Sequence, residues 1–576
     1  MSIFDIFRKK KEIPAPWSKY YTDEELNINI PNISLYKQVL NSSIKYPDYP
    51  AYQYFSKKVK YKKFIKQIDR VALSLKKLNV KKGDVITICM PNIPEALISF
   101  YALNKLGAIA NMLHPLSAEE EIKSSLISTK STYLIMIDMF YSKIKDSVRS
   151  TNVKKVIFVS ASNSMNIFMK LGYKLINIGK YKKYPKNNYF ISWNKFFRLS
   201  WNSKEVIESN FGKDTPAVIL HSGGTSGKPK NVVIQNRAFI LGAMQEKVLL
   251  KRLNPGDCCF AIMPNFHGFG LSVCMHTPLA LGCYTVLIPT FNSKEFDILF
   301  NKYKPTCVLG VPTLFEALIT SNNVKNLDLS NLKYVISGGD VLSQNLENKV
   351  NNYLKEHNST AKITQGYGLT EALAAVCLGC DDLNKSGSVG IPFPGNHVKI
   401  IDESTRKTLP FNEVGEICVH SKGLMMGYLN NESETNQALQ VHDDGHIWLH
   451  TGDLGYMDSD GFIFYKGRQK RMIITSGYNV YPSHIEEVIE SHPAVLQCTV
   501  VGVPHPYKKE VPKAFIVLKD GFYSLFVKNE IKEYCKKNLS KYMVPKEFVY
   551  RKKLPKTKLG KVDFQKLKSD IDKDDI

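Results

Sequence analysis

The residues best suited to chemistry stand in one short loop, Ser222-Gly-Gly-Thr-Ser-Gly-Lys-Pro-Lys230. Glycines have no Cβ, so several backbone N–H groups can converge on one anion. Thr225 and Ser226 add hydroxyl donors, and the final lysine adds positive charge. This composition predicts a loop that cradles phosphate; the alternative is a flexible glycine turn. A Walker A loop is excluded, because Ser222 and Pro229 stand where that motif needs Gly and Ser or Thr.

Two strands are expected to flank the loop, at Ala217–His221 and Asn231–Gln235. Seven further motifs with polar or glycine-rich character follow in order along the chain. They are Pro264–Gly270 (PNFHGFG), Ser337–Asp340 (SGGD), Gln365–Glu371 (QGYGLTE), His450–Asp453 (HTGD), Gly467–Arg468, Ser476–Pro482 (SGYNVYP) and Pro555–Lys561 (PKTKLGK).

In their order and spacing, the eight motifs resemble those of the adenylate-forming superfamily, which includes acyl-CoA synthetases, peptide-synthetase adenylation domains and luciferases. The resemblance in layout covers about residues 30–570. Three positions depart from the usual pattern: Asn231 replaces Gly, Asp340 replaces a frequent Ala, and His484 replaces Glu.

The resemblance implies that the chain binds ATP and CoA. The cofactor-binding residues that it implies are Ser222, Gly223, Gly224, Thr225, Ser226, Gly227, Lys230, Gly338, Gly339, Tyr367, Gly368, Thr370, Asp453, Arg468, Lys470 and Gly477. Tyr367 would stack on adenine and Asp453 would accept hydrogen bonds from the ribose hydroxyls. Lys470 falls at the family's hinge position, and Gly477 would line the pantetheine tunnel.

Four residues are expected to act in catalysis: Lys561, Thr225, His267 and Glu371. His267 would lie beside the substrate carboxylate. Glu371 would bind Mg²⁺, a hard cation that prefers carboxylate oxygen. The implied reaction joins a carboxylic acid to AMP, releasing pyrophosphate, and then transfers the acyl group to CoA.

The elements that must position these residues alternate between strand and helix patterns. Asp84–Met90 and Val156–Val159 read as buried strands, and Ala72–Leu78 and Glu95–Leu106 as helices. Such alternation predicts an α/β fold with a largely parallel sheet. Four more elements are expected near the C-terminus: a helix at 484–491, strands at Thr499–Val503 and Lys513–Val517, and a helix at 525–537.

The resemblance implies an adenylate-forming ligase fold, with two α/β subdomains and a β-barrel in a large N-terminal domain and a small mobile α+β C-terminal domain. The basic stretch Lys466–Arg471 divides the two parts. We therefore expect a tail at 1–29, an AMP-binding domain at 30–467 and a mobile domain at 468–576. Within the tail, residues 1–20 are expected to be frayed.

Composition indicates the kind of partner and the cellular location of the protein. The 576 residues carry 78 Lys+Arg against 53 Asp+Glu, a net charge of +25 that favours anionic partners. Eleven cysteines without framework spacing indicate reduced thiols and a cytoplasmic location. The Cys377–Cys380 pair has no second pair at zinc-site spacing, so zinc there is disfavoured. Met1–Phe7 is too short for a signal core, and no run of 18 apolar residues predicts a membrane span.

Residues 166–198 combine eight Lys or Arg and nine aromatic residues without any Asp or Glu. This composition fits a solvated basic loop, RNA binding, or peripheral contact with an anionic membrane at its inner face. Because no RNA-binding motif accompanies the charge, nucleic acid is not an expected partner. Nothing in the sequence indicates the oligomeric state.

One sequence position narrows the range of acids that the protein could activate. Peptide-synthetase domains carry Asp after the residue matching Phe266, whereas His267 stands here, so amino acids are disfavoured. Apolar residues that could line an alkyl pocket, or equally pack in the core, are Leu271, Val273, Met275, Leu309, Val311, Leu314 and Phe315. The chain looks most similar to bacterial medium- or long-chain fatty-acid–CoA ligases. Transfer to acyl carrier protein, or activation of a different carboxylic acid, stays open.

Overall fold

A computed structural model describes residues 12–178, 183–185, 187–203, 205–222, 230–475, 478–505, 507–522, 524–557 and 562–574. Most of these residues belong to four β-sheets and the helices that cover them. Numbered along the chain, the strands are β1 Pro50–Tyr54, β2 Lys57–Lys60, β3 Val85–Cys89, β4 Ile109–Met112, β5 Tyr133–Ile137, β6 Lys155–Val159, β7 Phe190–Ser192, β8 Pro216–Ser222, β9 Lys230–Gln235, β10 Cys258–Ala261, β11 Tyr284–Leu287, β12 Cys307–Gly310, β13 Tyr334–Gly338, β14 Ile363–Tyr367, β15 Cys377–Leu378, β16 Ile391–Pro392, β17 His397–Ile401, β18 Gly415–His420, β19 Gly427–Tyr428, β20 Leu439–Val441, β21 Ile447–Met457, β22 Ile463–Arg468, β23 Ile473–Thr475, β24 Tyr478–Val480, β25 Val495–His505, β26 Lys509–Leu518 and β27 Glu547–Tyr550.

The helices alternate with these strands over most of the chain. They are α1 Asp23–Leu26, α2 Leu35–Lys45, α3 Tyr61–Lys77, α4 Pro94–Leu106, α5 Glu119–Ser128, α6 Ile167–Ile176, α7 Trp193–Arg198, α8 Asn236–Leu249, α9 Thr277–Ala280, α10 Phe296–Tyr303, α11 Pro312–Thr320, α12 Gln344–Glu356, α13 Glu432–Ala438, α14 Pro482–Glu490, α15 Leu525–Asn538 and α16 Phe564–Asp574. None of the helices in the described part of the chain is long and apolar enough to cross a membrane.

Two large sheets form the body of the N-terminal region. One has nine strands in the order β16-β15-β14-β13-β12-β10-β11-β1-β2, and the other has eight in the order β19-β9-β8-β4-β3-β5-β6-β7. Their central strands are parallel and apolar, as expected for strands covered on both faces. Helices α2, α3, α4 and α8 share one core with strands of both sheets. The α/β prediction is confirmed.

Local signals explain why the predicted elements form where they do. Helix α4 begins with Pro94 in its first turn and ends at Gly107, which adopts a left-handed φ of 69°. These are the residues that favour a helix start and a helix stop. Strand β3 ends just before Pro91, which cannot donate to a sheet ladder.

The third sheet is antiparallel and contains β17, β18, β21 and β20, with β22 paired to β21. A β-barrel was expected in the large N-terminal domain, without residue bounds. Among the described strands the third sheet is five-stranded, and its pairing does not close into a ring.

The C-terminal domain has its own sheet and core. Strands β25 and β26 form a long antiparallel pair, and β27 joins β26 in parallel. Helices α14 and α15 supply Ile485, Ile489, Ile531 and Cys535 to the core between them and the sheet. All four elements predicted here form. The domain boundary at 467/468 stays a prediction; Arg468 is the last residue of β22 and pairs with Asp453 of β21.

The expectation of a tail at 1–29, frayed over residues 1–20, is wrong for the described residues 12–29. Trp17 is only 1% exposed. Its backbone lies so close to Gly461 that a Cβ on that glycine would be 2.7 Å from the Trp17 backbone nitrogen. Tyr21 donates a hydrogen bond to the Pro392 carbonyl at 2.8 Å, and Lys19 pairs with Asp460 at 2.6 Å. Burial of an indole ring supplies the apolar free energy that orders this segment.

Residues 166–198 are not one surface loop. Strand β7 pairs with β6 in the eight-stranded sheet, and Trp193 and Phe196 of α7 are buried. The Tyr184 ring stacks on Phe158 at 4.2 Å. Many of the aromatic residues therefore belong to the fold. Among the described residues of this segment, the exposed large apolar side chains are those of helix α6 and of Ile178, just after it.

All eleven cysteines are free thiols and buried. They include Cys377 and Cys380, whose side chains lie in the hydrophobic core. Burial raises the pKa of the Cys380 thiol to about 12, so this sulfur stays protonated.

Candidate active site

The adjacent parallel strands β13 and β14 end side by side, with Gly338 opposite Gly366. Gly339 follows with a φ of 78°, a conformation that glycine adopts without strain. A Cβ on Gly368 would lie 1.2 Å from the backbone oxygen of Ala374, so only glycine fits there. Open α/β sheets bind ligands beyond the carboxyl ends of their strands. The predicted cofactor-binding residues Gly338, Gly339 and Gly368 thus lie at such an edge, which we call the candidate nucleotide edge.

Asp453 is buried at this edge, with a relative exposure of 1%. Its Oδ2 accepts a hydrogen bond from the Tyr367 hydroxyl at 2.7 Å, and its Oδ1 pairs with Arg468 Nε at 2.7 Å. The Arg468 guanidinium also donates to the Thr451 carbonyl at 3.3 Å. Each carboxylate oxygen has two lone pairs, so Asp453 retains acceptor capacity for a ribose hydroxyl. The structure brings Tyr367, Asp453 and Arg468 together, although they come from three strands.

Electrostatics favour a charged Asp453–Arg468 pair beside a neutral tyrosine. Burial, reinforced by the negative charge of Asp453, raises the pKa of Tyr367 well above its ordinary value. Burial alone would lower the pKa of Arg468, but the Asp453 charge outweighs it and raises that pKa. Arg468 is therefore positive at neutral pH and Tyr367 keeps its proton for Asp453.

Glu371 lies in the short 3-10 helix Thr370–Ala372 that follows β14. Its Oε1 accepts a hydrogen bond from the Tyr428 hydroxyl at 2.9 Å, and its backbone oxygen accepts from Met425 N at 2.8 Å. The first bond orients the half-buried carboxylate, and the second anchors the backbone of the same residue. Thr370 beside it is buried.

Lys230, the first residue of β9, lies beside Tyr428, whose hydroxyl binds Glu371. Its Nζ lies 4.6 Å from the centre of the Tyr428 ring and 2.9 Å from Glu434 Oε2. Ser222 at the end of β8 pairs in register with Lys230. The two strands expected on either side of the phosphate loop therefore form and pair with each other. Lys230 and Glu371 share Tyr428 as a common neighbour.

Glu371 fits the role of a magnesium ligand by its chemistry. It offers a carboxylate that is oriented by Tyr428 and is partly open to solvent. Mg²⁺ prefers one or two such carboxylates together with phosphate oxygens and water.

His267 precedes a π-helical segment, Phe269–His276. Its Nδ1 accepts a hydrogen bond from Phe269 N at 3.2 Å. A Cβ on the next residue, Gly268, would lie 3.6 Å from Ala374 Cβ, so this turn packs against the segment that follows Glu371. The histidine loop is thus next to the candidate nucleotide edge.

The residues that could line an alkyl pocket lie in different parts of the N-terminal domain. Leu271, Val273 and Met275 lie in the π-helical segment and belong to the core between the large sheets. Leu314 and Phe315 pack in a second core beneath α10, α11 and α12. Val311 lies 3.7 Å from the position of a Cβ on Gly339, beside the candidate site.

Lys470 is exposed in the 3-10 helix Gln469–Arg471, which links the two domains. Several predicted site residues lie outside the described residues: Gly223, Gly224, Thr225, Ser226, Gly227, Gly477 and Lys561. Asp340, which stands where Ala is frequent in the family motif, accepts a hydrogen bond from Val341 N at 3.0 Å.

Two neighbours of the site were missed from the sequence. Tyr428 and Glu434 come from β19 and α13, far along the chain from Glu371 and Lys230. The available signal was the Gly427-Tyr428 pair. Gly427 has a φ of 142°, and a Cβ there would lie 2.8 Å from Thr435 Cγ2, so a glycine is required before the tyrosine.

Comparison with known proteins agrees with this geometry. The AMP-binding enzyme family matches residues 41–429, more than half of the chain. The chain belongs to the AMP-binding enzyme family. The C-terminal domain of this family matches residues 484–561. The resemblance to adenylate-forming enzymes drawn from the motifs is confirmed.

Relatives of this AMP-binding enzyme include CoA ligases for several acids. The long-chain-fatty-acid–CoA ligase of Bacillus subtilis (strain 168) is 30% identical over 554 residues, covering 95% of this chain and 96% of the relative. Probable 4-coumarate–CoA ligase 2 of Dictyostelium discoideum is 32% identical over 457 residues, covering 79% and 80%. The crystal structure of the anthranilate CoA ligase AuaEII with anthranoyl-AMP shares the fold, with a TM-score of 0.81, 24% identity, and coverage of 94% and 98%.

Proposed function

We propose that this AMP-binding enzyme activates a fatty acid with ATP and transfers the acyl group to CoA. The observation that carries the proposal is the convergence of Lys230, Glu371, Asp453 and Arg468 at the carboxyl edge of the parallel strands. This edge combines positive charge for phosphate, a carboxylate for a hard cation, and a buried acceptor for ribose.

In the first step, a carboxylate oxygen of the acid attacks the α-phosphorus of ATP, and the bond to the bridging oxygen breaks. Acyl-AMP forms and pyrophosphate leaves. A weak nucleophile meets a polyanion here, so positioning and positive charge lower the barrier. Lys230, Arg468 and Lys561 supply that charge in the proposal, and Glu371 would hold Mg²⁺. When bound, the metal would neutralise phosphate charge.

The proposal for Lys561 draws support from its described neighbour Lys556. The positive charge of Lys556 acts on Glu316 of helix α11, where burial raises the carboxyl pKa and Lys556 lowers it. The described start of the Pro555–Lys561 motif thus lies near enough to helix α11 for its charge to act on Glu316.

In the second step, the CoA thiol attacks the acyl carbonyl and AMP leaves. We assign the accompanying domain rotation to Gln469 and Lys470. On one side, Arg468 is bound to Asp453 of the N-terminal domain. On the other, Arg471 pairs with Glu486 at 2.7 Å, inside the C-terminal domain. A hinge needs only a few residues that change φ and ψ. Gly477 would then line the CoA tunnel.

A fatty acid is preferred as substrate because the Bacillus subtilis relative matches nearly the whole chain. The 4-coumarate relatives keep an aromatic acid open as the alternative, and acyl carrier protein stays open as acceptor. ATP–pyrophosphate exchange with octanoate, palmitate, 4-coumarate and benzoate separates the acids. Exchange that is fastest with the aromatic acids would contradict the fatty-acid assignment. Thioester formation with CoA against carrier protein separates the acceptors.

Lys561→Ala tests the division between the two steps. We expect ATP–pyrophosphate exchange to fall about 10²- to 10³-fold, because a charge aimed at the transition state is lost. Thioester formation from supplied acyl-AMP should stay near the wild-type rate. Lys568→Ala, on helix α16 of the same domain, is the control. Equal loss in both half-reactions would refute the role of Lys561.

We also propose that helix α6 makes peripheral contact with an anionic membrane. Six apolar residues of this helix and its end are more than half exposed: Ile167, Phe168, Leu171, Leu175, Ile176 and Ile178. Phe168, Leu171 and Leu175 recur at helical spacing, and Lys170 and Lys174 accompany them. Basic residues near an anionic surface contribute about 1 kcal/mol each, so attachment should be weak and salt-sensitive.

Because β7 and α7 belong to the fold, point variants test this contact better than deletion of 166–198. Phe168→Ser with Leu175→Ser should abolish co-sedimentation with anionic vesicles at low salt. The control is Leu525→Ser with Phe526→Ser, two residues equally exposed on helix α15. The absence of wild-type binding at low salt, or equal loss in both double variants, would reject the membrane contact.

A further inference from the structure

A second group of metal-binding side chains lies in the third sheet. Cys418 of β18 and His450 of β21 are direct partners across the two strands. His442 follows the short strand β20, which pairs with the same β21. One ligand atom from each of the three side chains lies within 4.8 Å of the others. Thiolate sulfur with two imidazole nitrogens is a donor set typical of Zn²⁺.

The histidines already face each other. His442 Nε2 lies 2.9 Å from His450 Nε2, and Cys418 Sγ lies 3.8 Å from His450 Nδ1. Two ring nitrogens at this distance must share one hydrogen, since one of them donates and the other accepts. An ion held between the two Nε2 atoms would replace that hydrogen.

Glu416 holds the His450 ring in the orientation that a metal ligand needs. Its Oε2 lies 2.8 Å from His450 Nδ1, and its Oε1 accepts from Gly452 N at 3.0 Å. The side chains of both His450 and Glu416 are less than 10% exposed. When Nδ1 carries the hydrogen and donates it to Glu416, the Nε2 lone pair is left for a metal, an arrangement common around zinc.

We propose that Cys418, His442 and His450 form a binding site for Zn²⁺, with Glu416 orienting His450. On binding, the Cys418 thiol releases its proton to solvent. His442 loses its Nε2 hydrogen to solvent and takes one on Nδ1, so the ring stays neutral. The two Nε2 atoms separate to roughly 3.3 Å, the spacing set by Zn–N bonds of about 2.0–2.1 Å in a tetrahedron. Water completes the coordination.

The positive charge of Arg406 disfavours Zn²⁺ binding, so a variant at this residue should have the opposite effect to a variant of a ligand. Arg406 Nη1 lies 2.9 Å from His450 Nδ1 and 3.8 Å from Glu416 Oε2. A guanidinium only donates, so this contact requires Nδ1 without its hydrogen and competes with the Glu416 contact that zinc binding needs. A fixed cation at this distance repels Zn²⁺. Its side chain is 53% exposed, so it can turn into solvent when the ion enters. Removal of this charge should therefore strengthen binding, whereas removal of a ligand should weaken it.

The test is titration of the metal-stripped full-length protein with Zn²⁺ against a chromophoric chelator. We expect one ion per chain. Cys418→Ser and His442→Ala should each weaken binding about 100-fold or more, given that even supporting residues cost 10- to 100-fold. Arg406→Gln should tighten it. The controls are Cys535→Ser, another buried cysteine, and His357→Ala, outside the cluster.

Co²⁺ gives a second measurement that does not depend on affinity. The wild type should show a thiolate-to-cobalt charge-transfer band, and Cys418→Ser should lose it while far-ultraviolet circular dichroism stays unchanged. Any of three results would overturn the proposal: no stoichiometric Zn²⁺ on the wild type, binding that Cys418→Ser leaves intact, or weaker binding by Arg406→Gln.

Discussion

Asp453→Asn combined with Tyr367→Phe tests how the buried carboxylate is positioned for ATP. Asp453 is 1% exposed and accepts from the Tyr367 hydroxyl at 2.7 Å. If that hydroxyl acts on ATP only by orienting the carboxylate, its removal should matter only while the carboxylate is present. The two substitutions should therefore not be additive.

The expected sizes follow from the contacts. Asp453→Asn removes the charge from a hydrogen bond to ribose, and bonds to charged groups contribute about 1.5–3 kcal/mol, or about 10- to 100-fold in ATP affinity. Tyr367→Phe removes one neutral donor, at about 1 kcal/mol or about fivefold. When Asp453→Asn is already present, adding Tyr367→Phe should cost less than about twofold, a coupling of about 1 kcal/mol.

The measurement is the ATP dissociation constant of the four proteins by calorimetry without acid substrate. Binding is preferable to unfolding here, because a two-domain chain need not unfold in one step. Tyr456→Phe is the matched control: it is a tyrosine of β21, the strand that carries Asp453, and its ring stacks on Phe464 at 4.7 Å. Additive losses in the double variant would refute the positioning role of Tyr367.

Two further predictions concern groups behind the nucleotide edge. Tyr428→Phe removes the hydrogen bond that orients Glu371 Oε1. The Mg²⁺ concentration for half-saturation in ATP–pyrophosphate exchange should therefore rise about fivefold. An unchanged magnesium dependence would exclude a role of Tyr428 in orienting Glu371. Burial, partly offset by Thr277, raises the pKa of Glu246 to about 8, so folding is favoured with this group protonated and stability falls as pH rises from about 4.5 to 8. Glu246→Gln should remove that fall, up to about 3–5 kcal/mol, and parallel melting curves of both proteins over this range would contradict it.

The strands and helices that the sequence predicted are those with local signals. Apolar runs bounded by proline or glycine gave β3 and α4 to within a residue or so. The glycine-rich motifs marked the strand ends for the same reason, because a close backbone approach excludes any Cβ, as at Gly368. Such constraints act within a few residues and therefore leave a pattern that can be read from one sequence.

Partners that come together only in the folded chain left no such pattern. Tyr428 meets Glu371, 57 positions away, across the edge of two sheets. Trp17 packs against Gly461, and no periodic pattern near residue 17 could indicate that contact. The proposed zinc site also arises only on folding, since Cys418, His442 and His450 become neighbours through the pairing of their strands.

The segment 166–198 shows why composition cannot replace topology. Its lysines and aromatic residues suggested one exposed surface, but charge and ring counts average over residues that point in opposite directions. Pairing of β7 with β6 turns Phe190 inward, and α7 buries Phe196 against the core. Helix α6 has no such pairing, and its Phe168 is 82% exposed. Among the described residues of this segment, the same composition therefore supports the sheet at one end and exposes an apolar, basic helix at the other.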